Sequence, residues 1–135
     1  MLYAMDRKWW QKYHEKARQH FKGELVCVAE RCFGVRRVRF KHGGNSGAGA
    51  MALAAYWGAK RIILLGYDCK YAEDGKRHWH GDHPRGLGNA VSMPKWKPQF
   101  KEMAQQLDGL KIVNSTRDTA LKFWPRQSLE KALDV

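Results

Sequence analysis

Three histidines fall within six positions, at His78, His80 and His83, and Asp82 stands beside the last of them. An imidazole titrates near neutral pH, so such a cluster can hold a metal or carry a proton. No cysteine pair flanks it, and its HxHxDH spacing does not match a standard zinc site. The chemistry expected here is proton transfer with no metal ligands assigned, using His80 or His83 as the acid or base. Gly81 and Asp82 allow a tight turn that brings either ring over whatever lies beneath. The cluster sits in residues 69–94, a polar, glycine-rich stretch that is long for a plain connection. Stretches of this kind are usually functional, and this one reads as a lid loop.

A second group lies in residues 42–68, HGGNSGAGAMALAAYWGAKRIILLGYD. Residues 46–59 carry no charge and read as a buried helix, with Asn45 or Ser46 as its cap. Gly47, Ala48, Gly49 and Ala50 leave the first-turn N–H groups open, which suits phosphate or carboxylate. The same small residues also suit a helix packed closely on a sheet. Neither GxGxxG nor GK[ST] is present, so the dinucleotide fingerprint and the P-loop are both excluded. Residues 62–65, IILL, read as a strand covered on both faces. That strand delivers Asp68 to the carboxyl end of the sheet, where open α/β sheets bind ligands.

Further elements must position these groups. Residues 2–5 read as a first strand, followed by a helix over 7–22 capped by Asp6. Trp10, Tyr13, Ala17 and Phe21 form its inner face, and its outer face is strongly basic. Gly23 is read as its terminator. Strands are expected over 25–29 and 35–40, the latter as an edge strand. A helix begins at Pro94 or Lys95, with Pro98 in its first turn and Phe100, Met103, Ala104 and Leu107 facing the core. Residues 111–113 read as a strand leading into Asn114 and Ser115, and Ser128 caps a last turn. The order β-α-β-β-α-β-lid-α-β-α predicts one α/β domain over residues 1–135, with a Rossmann-like, mostly parallel sheet flanked by helices.

The chain of 135 residues is basic, with 25 Lys and Arg against 13 Asp and Glu, for a net charge of +12. That charge favours nucleotide-like or polyanionic ligands. Three cysteines, Cys27, Cys32 and Cys69, are too few and irregular for a disulfide scaffold and fit a reducing, cytoplasmic compartment. No apolar run approaches a membrane span, and no signal peptide is seen.

Read together, NSG at residues 45–47, IILLGYD at 62–68, HGDH at 80–83 and KIVNSTRDTALKFWP at 111–125 resemble phage and bacterial proteins related to the family 42 sialyltransferases and the Maf-like flagellin-modification proteins. LYAMDRKWW at 2–10 resembles the second strand and helix of the longer phage relatives, so the resemblance implies an N-terminally shortened form. It implies nucleotide contacts at Asn45, Ser46, Gly47, Asn114 and Ser115, beside Asp68, and a general base at His80 or His83. It also implies a nucleotide sugar as substrate, sugar transfer to a hydroxyl acceptor, and no essential metal or cofactor. The lid is shorter than in the sialyltransferases and lacks their paired tyrosines; Tyr67 and Tyr71 match only in part. The alternative expectation is a non-catalytic basic phage protein binding nucleic acid or an acidic protein partner. A sheet without the first strand of the longer relatives predicts a homodimer that covers residues 2–5, or Trp9 and Trp10.

Overall fold

The computed structural model describes residues 1–77, 81–88 and 90–134. Its elements follow the expected order: β1 (Leu2–Ala4), α1 (Arg7–His20), β2 (Leu25–Cys27), β3 (Arg36–Arg37), α2 (Ser46–Tyr56), β4 (Arg61–Leu64), α3 (Met93–Gln106), β5 (Lys111–Asn114) and α4 (Leu129–Leu133). All strand pairs are parallel. The strands form two sheets rather than the single sheet expected from sequence: β1-β2-β3 and β4-β5. The molecule is thus a small α/β domain with two short parallel sheets flanked by helices. Each strand is two to four residues long, so hydrophobic packing must supply what so few ladder bonds cannot.

Helix α2 supplies that packing on both sides. Its sequence SGAGAMALAAY carries no charge, as a helix buried around its girth requires. Ala48, Met51 and Ala52 join Leu64, Phe100, Met103, Ile112, Leu121 and Trp124 in one core cluster. Leu53 turns the other way and packs with Val26 and Val38 of the β1-β2-β3 side. The helix therefore ties the two sheets together.

Helix α1 covers a third cluster. Trp10 is fully buried with Cys27, Cys32 and Val35, and its indole N–H donates to the Ala4 carbonyl at 2.8 Å. Trp10 is thus spent inside the fold and is unavailable to a dimer contact. Asp6 caps α1 as expected, accepting from Lys8 N–H at 2.7 Å. The helix stops two residues short of the expected end, because Phe21 is extended at φ −111° and ψ 118°. Gly23 is not in the left-handed region; it lies beneath the Phe21 ring, where a Cβ would sit 2.7 Å from a ring carbon. Pro98 lies within the body of α3, not its first turn, since the helix begins at Met93.

Cys27 and Cys32 are joined by a disulfide, with their Cα atoms 6.1 Å apart. This corrects the expectation of unpaired thiols, which holds for Cys69 alone, and removes the footing of the reducing-compartment reading. No helix among the described residues is long and apolar enough to cross a membrane.

Tyr3 of β1 approaches α2 closely at Gly49. A Cβ at Gly49 would lie 2.3 Å from the Tyr3 hydroxyl oxygen, at the end of a stiff ring. That hydroxyl is buried and has no hydrogen-bond partner among the described residues. Replacing Gly49 with alanine gains about 1 kcal/mol of helix propensity, but must displace the ring. We predict that Gly49→Ala destabilises by about 1–2 kcal/mol net, within the range for overpacking. In a Tyr3→Phe background, itself near neutral because the lost hydroxyl was unpaired, the same change should cost close to nothing. Urea unfolding of the four proteins checks this; an equal cost in both backgrounds would refute the contact.

Candidate functional site

A cleft of about 940 Å³ opens where the two sheets meet α2. One wall is β1 and the residues after it, from Met1 to Asp6, with Trp9 behind. The floor is the start of α2, at Asn45, Ser46, Gly47 and Ala50. The opposite wall is the segment after β4, from Gly66 to Cys69. His83, Leu87, Gly88 and Ala90 of the long loop close it above, and Ser92, Trp96 and Phe100 flank it. The volume suits a small organic ligand.

The start of α2 is built by Asn45. Its side-chain oxygen accepts from Ala48 N–H at 2.9 Å, and its amide donates to Gln99 at 2.9 Å. Asn45 is therefore the cap, is buried, and also pins α2 to α3. Asn45 also lines the cleft. The first intrahelical bond runs from Gly49 N–H to the Asn45 carbonyl at 2.8 Å. The N–H groups of Ser46 and Gly47 precede it and have no partner within the helix. Both residues line the cleft, and Ser46 is exposed. Gly47 is also required by packing: a Cβ there would meet Phe100 at 3.0 Å and Tyr67 at 3.2 Å.

Asp68 is set by the chain after β5. Ala120 N–H donates to the Asp68 carbonyl at 2.8 Å, Tyr67 N–H to Thr116 Oγ1 at 3.0 Å, and Thr119 Oγ1 to the Tyr67 carbonyl at 2.6 Å. These bonds anchor the backbone of residues 67–68 and leave Asp68 exposed at the cleft mouth. Tyr67 runs back under the cleft and donates its hydroxyl to the Gly47 carbonyl at 3.1 Å.

Asn114 braces the turn after β5. It is fully buried, accepts from Thr116 N–H at 3.0 Å and donates to Thr119 Oγ1 at 3.4 Å. Its side chain shapes the turn after β5 and does not reach the cleft lining. Ser115 lines a second cavity of about 770 Å³ with Arg117, Arg126 and Glu130. Asp68 and Gly66 border both cavities. Arg126 is held by the carbonyls of Thr116 and Arg117, at 2.9 and 2.6 Å.

The structure thus gathers Asn45, Ser46, Gly47, Asp68 and His83 around one cleft, places Ser115 at its neighbour, and buries Asn114 in the turn after β5. His80 lies outside the described residues, as do His78 and Trp79. Among the described residues no group of three His, Cys, Asp or Glu could hold a metal ion. The long loop is tied at its base, where the Tyr71 hydroxyl donates to the Ala90 carbonyl at 3.1 Å. The sequence reading missed the contribution of residues 1–6, Trp9 and Trp96 to the cleft. The available signal was that Met5 and Asp6 follow the first strand, at its carboxyl end.

Burial pushes the Tyr3 phenol up from its ordinary 10.0 to about 12 and also raises Tyr67. Burial raises the Cys69 thiol as well, with Lys97 opposing it more weakly. Cys69 is therefore protonated at neutral pH and is a poor nucleophile. No family model, curated protein or solved structure matches this chain.

Two outcomes are expected. Asn45→Ala removes the cap of α2 and should lower stability by about 1–2 kcal/mol, whereas Asn45→Asp keeps the capping oxygen and should lose less; thermal unfolding separates them. The raised Tyr3 value fixes the sign of an alkaline effect. The unfolded chain releases this proton near pH 10.0 and the folded chain near 12, so stability falls as pH rises through that window. Tyr3→Phe should make the fall shallower in urea titrations across it; an unchanged slope would refute the assignment.

Proposed function

We propose that the cleft binds the phosphate-bearing part of a nucleotide or nucleotide sugar, in a Rossmann-like arrangement, and that the protein is glycosyltransferase-like. The carrying observation is that the open first-turn N–H groups of Ser46 and Gly47, the exposed Asp68 and the imidazole-bearing His83 border one cleft. That cleft lies at the carboxyl ends of β1 and β4, the position where open α/β sheets bind ligands. Helix N-termini favour anions. Lys97, which acts on Cys69 at the cleft wall, adds positive potential. Trp96, steadied by its indole N–H bond to Ser92 Oγ at 3.0 Å, offers a ring beside the cleft for a base.

In this reading, His83 takes the proton from an acceptor hydroxyl as that oxygen attacks the sugar's anomeric carbon. The bond from that carbon to the nucleotide phosphate breaks, and its electron pair leaves with the phosphate. The α2 N–H groups meet the charge that develops there. Asp68, on the facing wall, is placed to hold a sugar or acceptor hydroxyl.

Titration of the folded protein with CMP, CDP, UDP, GDP and ATP tests the binding. Saturable binding of at least one nucleotide supports the proposal, and none at millimolar ligand overturns it. With a donor in hand, His83→Ala should lower turnover by ~10²–10⁴-fold with little change in nucleotide affinity. A parallel loss of affinity would make His83 a binding group instead.

A further inference from the structure

We propose that the second cavity binds a small organic oxyanion, a carboxylate or phosphate that also carries a hydroxyl, at a site separate from the cleft. This cavity of about 770 Å³ lies at the carboxyl ends of β4 and β5, where α/β sheets place ligands. It shares only Gly66 and Asp68 with the cleft. Two arginines line it, Arg117 and Arg126. Arg126 is fixed at both ends. Its backbone is bridged to Asn114, whose N–H donates to the Pro125 carbonyl at 2.9 Å. Its Nη2 donates to the carbonyls of Thr116 and Arg117. A guanidinium has more N–H donors than these two bonds use. Its Nε and Nη1 have no hydrogen-bond partner among the described residues, and neither arginine forms an ion pair there. A planar fork held in one orientation suits a carboxylate or phosphate.

The carboxylates nearby do not neutralise this pair. Asp118 is the ion-pair partner of Lys70, and Lys70, Arg126 and Lys122 together hold its carboxyl below the ordinary range, so cations outnumber it. Glu130 lines the cavity too, but its own N–H and the Ser128 hydroxyl engage its carboxyl and hold it below the usual range. Asp68 stands on the wall shared with the cleft. A carboxylate there repels a bare anion and accepts from a hydroxyl. It thus selects a ligand that gives its oxyanion to the arginines and a hydroxyl to Asp68. Ser115 lines the cavity as well, and its buried hydroxyl has no hydrogen-bond partner among the described residues. Bracing the turn after β5 accounts for Nη2 of Arg126 and for nothing at Arg117. Convergent polar groups in a concave site are what a small ligand requires.

The test is an NMR titration of the isotope-labelled full chain at near-physiological salt, with glycerol phosphate, glycerate, inorganic phosphate and glycerol as probes. Glycerol phosphate and glycerate separate a phosphate from a carboxylate source; inorganic phosphate lacks the hydroxyl, and glycerol lacks the anion. Saturable shifts are expected at the amides of Gly66, Ser115, Arg117 and Gln127 with glycerol phosphate or glycerate. Inorganic phosphate should bind more weakly and glycerol not at all. Arg117→Gln, whose side chain makes no hydrogen bond or ion pair among the described residues, should weaken binding about tenfold, the loss of one charge-assisted contact. Arg126→Lys keeps the charge but not the fork and should also weaken it; where a thermal melt shows the turn disturbed, Arg117→Gln decides. Asp68→Asn should erase the preference for glycerol phosphate over inorganic phosphate. Shifts confined to Ser46 and Gly47 would put the anion in the cleft, supporting that site and overturning this one. Unsaturable shifts, indifference to Arg117→Gln, inorganic phosphate or glycerol binding as tightly as glycerol phosphate, or no shift at millimolar ligand would each overturn the proposal.

Discussion

Helix α2 is the one apolar element that two sheets share, and both sheets press on its first turns. Tyr3 reaches it from β1 and lies over Gly49; Tyr67 reaches it from the end of β4 and donates to the Gly47 carbonyl. Only residues without side chains let a helix come this close to two rings. Alanines continue the same logic further along, at Ala48 and Ala52. Strands of two to four residues carry few ladder bonds, so the sheets are held largely by what they bury against this helix.

The cleft follows from that constraint. Two sheets that meet a common helix without pairing with each other leave space between β1 and the segment after β4. The start of α2 opens into that space because Asn45 caps the helix and binds Gln99, fixing it against α3. The turn after β5 then fixes the far wall through Thr116, Thr119 and Ala120. The polar side chains of Asn45 and Asn114 help to build the frame.

The high positive charge is distributed unevenly in its consequences. Several cations are engaged: Arg36 with Glu24, Arg61 with Asp134, Lys70 with Asp118 and Lys76 with Asp74. These pairs are exposed and contribute little to stability. Arg37, Arg39 and Lys41 form no ion pair among the described residues.

The order of helices and strands was legible in the sequence because local patterning sets it. Asp6, Asn45 and Ser128 sit at helix starts, and the uncharged run over residues 46–56 and the apolar IILL of residues 62–65 mark α2 and β4. That Ser46, Gly47 and Asp68 lie near one another was legible too, since strand ends and helix starts converge in parallel α/β folds. Pairing between distant segments was not legible. One sheet or two depends on whether β1 and β4 come within ladder distance, which helix packing sets and strand propensity does not. That Asn114 braces the turn after β5 depended on the folded position of Thr119. Cys27 and Cys32 are five residues apart, a spacing that does not reveal a bond; the bend after β2 brings their Cα atoms to 6.1 Å. Trp57 is separated in sequence from Arg36 of β3, and tertiary packing alone brings the two together. Sequence specified these local elements through short-range sterics and hydrogen bonding, whereas the site and the surface arose from contacts between segments that only the closed core brings together.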